Sequence, residues 1–336
     1  MTDARPSRAP SSRLAIVIPI YNESAGLPEL YRRVRAVIDA LQPDVQCEVI
    51  YVNDGSTDSS LAVIQDQCHA DRRVSVVDLS RNFGQQAALT AGLDVAEADA
   101  VIMMDGDLQD PPEVIHDLVR AWRNGADVVR AIRRSRQDRG VRRLGFDLFH
   151  SVFAWISDFP MPANVGIFGL LDRRAVEELR RLPEKNRFLP GLRAWIGFNQ
   201  QSLEYDRVER TAGPPKQSLR RLARYALDGV FSFSYKPLRL MVGAGVVTSG
   251  VGFVLASVFV IKRLLGIEQA QMGFTTLVTL VLFMGGVQLV SIGLLGEYLA
   301  RIYDEVKARP LFIVRRRYPD GSELSGNQAR EDRTPE

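Results

Sequence analysis

The stretch VIMMDGDLQDPP, residues 101–112, passes from an apolar run directly into two aspartates one residue apart and then into two prolines. An apolar run without polar alternation is typical of a strand that is buried on both faces of a sheet. The aspartate, glycine and proline residues that follow are typical of a loop. Two carboxylates at the end of a buried strand indicate a site that binds a cation or another polar ligand.

Further apolar runs of this kind alternate with helical patterns along the N-terminal part of the chain. We predict strands over residues 13–20, 47–54, 74–80, 100–105 and 127–131, and helices near 25–40, 58–70, 85–97 and 111–124. Strands separated by crossover helices form a mostly parallel α/β sheet with helices on both faces. Since such sheets bind ligands at the carboxyl ends of their strands, we expect the polar loops after the first four strands to converge there.

Two uncharged runs set the C-terminal third apart. Residues 240–261 and 272–295 are each long enough, as helices, to cross a hydrocarbon core of roughly 30 Å. Basic residues flank the pair on both outer sides, and the N-terminal residues contain no apolar segment of signal-peptide type. We therefore expect a multi-pass protein of the inner (plasma) membrane, with the N-terminal α/β domain and both termini in the cytoplasm.

Several kinds of site are not expected from the sequence. Cys47 and Cys68 would be reduced in the cytoplasm, so no disulfide is predicted, and the three histidines lack the spacing of zinc ligands. The first strand-to-helix turn, PIYNES, lacks the glycines that bind a dinucleotide, and no Walker loop is present. We expect no nucleic-acid partner.

A nucleotide diphosphate bound without those loops needs another source of positive charge, and a divalent ion held by carboxylates provides it. Asp105 and Asp107 form the only Asp-x-Asp pair in the chain. Oxygen ligands of this type suit Mg²⁺ or Mn²⁺. The sequence therefore predicts a cation at this pair.

Four ordered motifs carry a resemblance: IVIPIYNES, VIYVNDGSTD, LSRNFGQQAALTAGLDVAEADAVIMMDGDLQDPPE and GLLDRRAVEELRRLPEKNRFLPGLRAWIGF. Together they resemble the family-2 glycosyltransferases that load a sugar onto a polyprenyl phosphate, a group that includes dolichol-phosphate mannose synthases and bactoprenol glucosyl transferases. The resemblance spans roughly residues 13–310. It implies a glycosyltransferase-A fold, Rossmann-like with a mostly parallel sheet, followed by a two-helix C-terminal transmembrane hairpin.

The resulting division of the chain has five parts. We expect a disordered tail (1–12), a catalytic nucleotide-sugar-binding domain (13–213), an interfacial amphipathic segment (214–237), two transmembrane helices (238–300) and a cytoplasmic basic tail (301–336). The amphipathic segment has apolar residues at helical spacing and basic residues on its other faces, as in a helix that lies in the membrane interface.

The resemblance also implies roles for individual residues. The nucleoside side would be formed by Pro19, Tyr21, Glu23, Asp54 and Asp105. The metal ligands would be Asp105 and Asp107 with Gln109. The lipid phosphate would be bound by Arg133 and Arg143, which together with the two aspartates form the expected catalytic set. Arg133 and Arg143 lie in an arginine-rich stretch, most of which we expect to be a solvated basic face near anionic lipid.

The activity that the resemblance implies is transfer of a sugar from UDP-glucose to undecaprenyl phosphate, by metal-assisted, inverting attack of the lipid phosphate. Relatives often carry Asp and Arg where this chain has Asn164 and Gly169, which disfavours a carboxylate base there. The alternatives are a GDP-mannose-dependent mannose synthase, a processive polysaccharide synthase and a non-enzymatic membrane scaffold for a flippase. Glycines in both apolar runs would permit a homo-oligomer.

Overall fold

The computed structural model of the protein describes residues 12–134, 165–185, 187–206, 236–265 and 273–319. These residues form two compact units: a sheet unit, made by the described residues up to 206 together with 310–319, and a helical unit, made by 236–265 and 273–309. Arg143, Asn164, residues 1–11 of the expected tail and nearly all of the expected interfacial segment lie outside the described residues.

The sheet unit is built on eight strands in the order β7-β5-β6-β4-β1-β2-β3-β8. Their bounds are β1 Ser12–Ile20, β2 Val45–Asn53, β3 Val74–Leu79, β4 Ala100–Met103, β5 Val128–Arg133, β6 Val165–Asp172, β7 Gln200–Tyr205 and β8 Val314–Tyr318. Four of the seven strand pairings are parallel and three are antiparallel. The predicted mostly parallel sheet is confirmed.

Six helices belong to this unit: α1 Leu27–Leu41, α2 Ser60–Ala70, α3 Gln85–Val95, α4 Ile115–Arg123, α5 Arg173–Arg181 and α6 Leu189–Trp195. The first four were predicted, and a short 3₁₀ turn, Pro112–Val114, precedes α4. Trp122 of α4 is buried, and its indole N–H donates to Asp172, whose other carboxylate oxygen accepts the N–H of Arg174 at the start of α5. One side chain thus caps α5 and satisfies the buried indole.

The predicted strands near residues 13–20, 47–54, 74–80 and 100–105 are confirmed as the parallel block β3-β2-β1-β4. Their residues are almost completely buried because helices cover both faces, which explains why they have no polar alternation. The strand predicted at 127–131 exists as β5 but does not adjoin β4. The antiparallel strand β6 lies between them, since the chain reverses direction after β5.

The last strand changes the expected division of the chain. Residues 314–318 fall in the segment assigned to a basic tail, but they form β8, which pairs antiparallel with β3 at the edge of the sheet. The tail boundary at residue 301 was therefore wrong for these residues. β8 therefore belongs to the sheet unit, although it follows the two apolar runs in the chain.

The helical unit contains two long helices, α7 Lys236–Leu264 and α8 Phe274–Val306. Both are long and apolar enough to cross a membrane, with the qualifying stretches at Leu238–Leu255 and Phe283–Val306. Large apolar side chains such as Phe253, Leu264 and Leu289 are exposed, in contrast to the buried core of the sheet unit. A Cβ added at the glycines along both helices would meet no neighbouring atom within 4 Å outside the adjacent turns of its own helix, and the predicted homo-oligomer stays a prediction.

Candidate functional site

Four loops follow the carboxyl ends of the parallel strands: loop 1 (21–26), loop 2 (54–59), loop 3 (80–84) and loop 4 (104–111). Loops 1 and 2 are joined through Asn22, whose side-chain oxygen accepts the N–H groups of Thr57 and Asp58. In return, the N–H of Asn22 donates to the hydroxyl of Ser56 at 3.1 Å. The predicted convergence of the polar loops on one edge is confirmed.

Asp54 joins loop 2 to loop 3. Its carboxylate oxygens accept the backbone N–H groups of Phe83 at 2.7 Å and Gly84 at 3.0 Å. The residue is only 3% exposed, and burial raises the pKa of Asp54 although the two N–H donors oppose that shift. Its carboxylate thus fixes loop 3, and the predicted hydrogen bond to a nucleoside stays a prediction.

Gly55 allows this close approach of the two loops. Its φ is +63°, and a Cβ there would lie 2.4 Å from the carbonyl carbon of Arg81 and 2.5 Å from the nitrogen of Asn82. Any side chain would force loop 3 away from Asp54. The Asp-Gly pair of NDGSTD therefore works as one unit, in which the acid binds loop 3 and the glycine leaves room for it.

The other predicted nucleoside residues lie beside these loops. Pro19 is half-buried near the end of β1, Tyr21 in loop 1 is 44% exposed, and the backbone N–H of Glu23 donates to the hydroxyl of Ser60 at 2.9 Å. The exposed ring of Tyr21 is free of the core and could stack on a base. These residues share the edge with loop 4.

Loop 4 carries the aspartate pair. Asp105 accepts a hydrogen bond from the carboxamide of Gln85 at 2.5 Å, and Asp107 accepts the backbone N–H of Gln109 at 3.2 Å. Both aspartates are half-buried at the carboxyl edge. Gln85, the first residue of α3, was not predicted as a site residue, although NFGQQ follows strand β3 at the same edge. Its side chain fixes one oxygen of Asp105.

The donor atoms present fit a hard divalent cation. Asp105 and Asp107 offer carboxylate oxygens at the edge, and Gln109, whose backbone N–H donates to Asp107, adds a carboxamide to the same loop. Within the part of the chain that the structure describes, no group of three or more His, Cys, Asp or Glu residues could hold a metal. An ion held by two carboxylates would still be able to bind the oxygens of a substrate.

Half-buried Arg133, at the end of β5, forms a cluster with the buried residues Asp110 and Tyr205, here called the Arg133 cluster. The Tyr205 hydroxyl donates to Asp110 at 2.5 Å and accepts from Nε of Arg133 at 3.3 Å. Asp110 is fully buried, and its carboxylate lies 4.0 Å from the Arg133 guanidinium. The cluster therefore fixes one cation beside loop 4.

The charge of Arg133 is stabilised by its surroundings. Burial alone would lower the pKa of Arg133, but the hydrogen bond to Tyr205 and the charges of Asp110 and Asp105 raise it. Burial and the carboxylate of Asp110 likewise raise the pKa of Tyr205, so its hydroxyl keeps its proton. Asp110 belongs to loop 4, so the Arg133 cluster adjoins the loop that carries Asp105 and Asp107.

A glycine in β6 makes room for Arg133. A Cβ at Gly166 would lie 3.0 Å from Nη2 of Arg133, so a larger residue would displace the guanidinium. The backbone of β6 is itself held by Arg193 of α6, which is fully buried and donates to the carbonyls of Gly166 and Ile167.

Sequence reasoning missed Asp110, Tyr205 and Arg193. Asp110 lies in the same DGDLQD stretch as the aspartate pair, whereas nothing local marks Tyr205.

A cavity of about 320 Å³ lies elsewhere, at the opposite edge of the sheet, and is lined by residues that include Arg13, Glu97, Arg173 and Arg180. Arg173 is paired with Glu177, and Arg180 donates to the carbonyls of Leu93 and Ala96. These arginines serve the fold, and the cavity is far from the convergent loops.

Comparisons with known proteins show the family of the chain. Residues 15–180 match the pattern "Glycosyl transferase family 2", and residues 236–302 match "GtrB C-terminal hairpin". An uncharacterized glycosyltransferase of Synechocystis sp. is 44% identical over 303 residues, which cover 90% of this chain and 94% of that protein. The SfII prophage-derived bactoprenol glucosyl transferase of Shigella flexneri is 39% identical over 305 residues, 90% of this chain and 98% of that protein.

Among solved structures, a mannosyltransferase of Pyrobaculum calidifontis in complex with GDP-Man and Mn²⁺ aligns with a TM-score of 0.44 at 13% identity. The alignment covers 84% of this chain and 87% of that one.

The matched hairpin and the two long apolar helices indicate a membrane-associated protein. The identity to named glycosyltransferases runs through nearly the whole chain. The chain therefore belongs to glycosyl transferase family 2 and is a glycosyltransferase with a GtrB-type C-terminal hairpin.

Proposed function

We propose that the protein transfers glucose from UDP-glucose to a polyprenyl phosphate such as undecaprenyl phosphate. The observation that carries the proposal is that loop 4, at one edge of the sheet, contains both the Asp105–Asp107 pair and Asp110, whose carboxylate lies 4.0 Å from the half-buried cation of Arg133. A carboxylate pair suits a metal-bound diphosphate, and a fixed guanidinium suits the phosphate of a second substrate. Relatives named bactoprenol glucosyl transferase support the choice of glucose and of a prenyl acceptor.

On the donor side, Asp105 and Asp107 would hold Mg²⁺ or Mn²⁺ with Gln109 nearby, and Pro19, Tyr21, Glu23 and Asp54 would surround the nucleoside. The ion would offset the charge of the diphosphate and stabilise it as it leaves. Gln85 would keep Asp105 oriented through its 2.5 Å hydrogen bond. The chain's own contribution is to hold loops 1 to 4 in one arrangement before the substrate arrives.

On the acceptor side, Arg133 would bind the lipid phosphate, joined by Arg143. Asp110 and Tyr205 would orient Arg133 without touching the substrate, because both are buried and the Tyr205 hydroxyl is engaged with Asp110 and Arg133. A guanidinium held in this way can donate two parallel hydrogen bonds to phosphate oxygens.

The reaction needs no strong general base. The second pKa of a phosphate monoester is about 6, so one oxygen of the acceptor is already an anion near neutral pH. That oxygen forms a bond to the anomeric carbon while the bond from this carbon to the diphosphate breaks. UDP leaves with the electron pair, the anomeric configuration inverts, and no covalent enzyme intermediate forms.

The proposed location is the inner membrane, with the catalytic unit and both termini in the cytoplasm. β8 follows the two apolar helices in the chain, yet it pairs with β3, which precedes them. Strands of one sheet must lie on the same side of a membrane, which requires an even number of crossings between them. Two spans, α7 and α8, satisfy that requirement.

A panel of labelled nucleotide sugars tests the proposal. Purified protein in lipid nanodiscs is given undecaprenyl phosphate, MnCl₂ or MgCl₂, and labelled UDP-glucose, UDP-galactose or GDP-mannose in turn. We expect label in the organic phase only with UDP-glucose, and only when the lipid phosphate is present. Label from GDP-mannose alone would favour the mannose synthase alternative, and no lipid-linked label from any donor would refute the proposal.

A further inference from the structure

The edge strand β8 contacts the ends of the strands that carry loops 2 and 3. Arg315 of β8 donates through Nη2 to the carbonyl of Ser80 at 2.6 Å, and its Nη1 lies 3.5 Å from a carboxylate oxygen of Asp78. The backbone also contributes, since the N–H of Ser80 donates to the carbonyl of Ile313 at 2.9 Å. Ser80 is the first residue of loop 3, so the start of that loop is hydrogen-bonded to β8 and the residue before it.

The contact continues inward to loop 2. Asp78 is only 2% exposed, and its other oxygen accepts the carboxamide N–H of Asn53 at 2.7 Å. The side-chain oxygen of Asn53 accepts the backbone N–H of Ser56 at 3.2 Å. Arg315, Asp78 and Asn53 thus form a chain of polar contacts from the sheet edge into loop 2.

The buried carboxylate of Asp78 explains why this series of polar contacts needs Arg315. A buried carboxylate is costly unless a cation or hydrogen-bond donors compensate it, and among the described residues Arg315 is the cation that pairs with Asp78. The Arg315 side chain is itself 58% exposed, so its loss leaves no buried cation behind. Its removal should therefore weaken the hold on Asp78 without creating a second unpaired charge.

We propose that Arg315, which follows the membrane hairpin in the chain, is a positioning residue for the nucleotide-sugar site. It fixes Asp78 and Ser80 and thereby orders loops 2 and 3. This inference rests on the proposed function for what those loops bind. It assigns a role in donor binding to a segment that follows the hairpin in the chain. If Arg315 only protected the edge strand, its loss would affect the whole sheet and not loops 2 and 3 in particular.

Hydrogen–deuterium exchange on the purified full-length protein tests the ordering directly. In Arg315→Ala, we expect the amides of residues 53–59 and 80–84 to exchange about threefold to tenfold faster, while those of β1 and α1 keep the wild-type rate. Arg317→Ala is the matched control. It removes the same charge from the same strand, but among the described residues no hydrogen bond or ion pair joins Arg317 to Asp78 or Ser80.

Initial-rate kinetics supply the second readout. The KM for UDP-glucose should rise about threefold to tenfold in Arg315→Ala, while the KM for undecaprenyl phosphate stays within about twofold of the wild-type value. Arg315→Lys should recover part of the donor KM, because an ammonium can reach one of the two acceptors. In an Asp78→Asn background, Arg315→Ala should raise the donor KM by a smaller factor than in wild type, since only the contact with the carbonyl of Ser80 remains to be lost.

Unchanged exchange in loops 2 and 3, or the same increase in Arg315→Ala and Arg317→Ala, would overturn the inference. A rise in both substrate KM values by the same factor would also overturn it, since that result indicates general loosening. If wild-type protein does not use UDP-glucose, the proposed function fails, whereas the exchange experiment still decides whether Arg315 orders the loops.

Discussion

The two flanks of the site are built in different ways. On the flank of β1 to β4, polar loops close in sequence to apolar strands are joined by hydrogen bonds between side chains and backbone, as between Asp54 and Gly84. On the flank of β5 to β7, a single cation is fixed by buried side chains from distant positions. Tyr205 and Asp110, for example, are 95 residues apart. The comparison indicates that one flank is preorganised by loop geometry and the other by charge, which fits a donor site beside an acceptor site.

The largest expected effect tests the donor flank. Asp107→Ala should lower kcat/KM by at least about a hundredfold, because it removes a carboxylate from the proposed cation site. EDTA should have the same effect on the wild-type protein, and added Mn²⁺ or Mg²⁺ should reverse it. Asp117→Ala is the control, since Asp117 is an exposed acid on α4 that pairs with Arg120. Full activity under chelation would contradict the metal role.

The next effect tests the acceptor flank. Arg133→Ala should lower kcat/KM for the lipid phosphate by about tenfold or more, because a charge-assisted hydrogen bond typically contributes about 1.5–3 kcal/mol. Tyr205→Phe should have a smaller effect in the same direction, and neither change should alter donor affinity. Arg134→Ala is the matched control, because the neighbouring Arg134 is exposed and pairs with Glu204 and Asp206. Equal, salt-sensitive losses in Arg133→Ala and Arg134→Ala would indicate only a basic face near lipid.

A third prediction compares two glycines of the donor flank. Both Gly55 and Gly84 have positive φ, but only a Cβ at Gly55 would meet other atoms within 4 Å. Gly84→Ala should therefore cost about 1 kcal/mol of folding free energy from backbone strain alone, and Gly55→Ala about 1–3 kcal/mol more. Thermal unfolding of the two purified variants measures this, and the Gly55 variant should unfold several degrees lower. Equal melting temperatures would show that loops 2 and 3 do not press together at Gly55.

The smallest expected effect concerns Asp58 in loop 2. Burial would raise the pKa of Asp58, but hydrogen bonds from Ser60 and Ser24 outweigh it and lower the pKa to about 2. A carboxylate with a lowered pKa stabilises the fold above its unfolded pKa, and this contribution is lost as the pH falls through about 2. Because Asp58 is exposed, the contribution should be at most about 1 kcal/mol. The difference in melting temperature between wild type and Asp58→Asn should therefore shrink as the pH falls from about 4 to about 2; a constant difference would contradict the assignment.

The two flanks also differ in how far the sequence predicted them. The strands β1 to β4 and their loops were predicted because each is an apolar run followed by turn residues, which is local information. β7 and β8 were not predicted because they are mostly exposed edge strands without a continuous apolar run. Tyr205 is a site residue only because antiparallel β6 and parallel β7 bring it next to Arg133, 72 residues earlier. Pairings at that separation leave no local pattern.

The same limit applied within the donor flank. The sequence indicated Asp54 as a polar residue at the right edge, but its partners are backbone amides of another loop, which no side-chain pattern reveals. Likewise, Arg315 was included in a basic tail because its contact with Asp78 spans 237 residues of sequence. Residue types in the sequence predicted which loops carry polar side chains, whereas the partner of each side chain depends on the tertiary fold.

The division into a donor flank and an acceptor flank is tested most directly by measuring the binding of each substrate separately. Equilibrium binding of UDP with MnCl₂, and of undecaprenyl phosphate in nanodiscs, is measured for wild type, Asp107→Ala and Arg133→Ala. We predict that Asp107→Ala loses UDP binding and keeps the lipid phosphate, and that Arg133→Ala shows the reverse. Loss of both ligands in both variants, with folding intact, would contradict the separation of the two flanks.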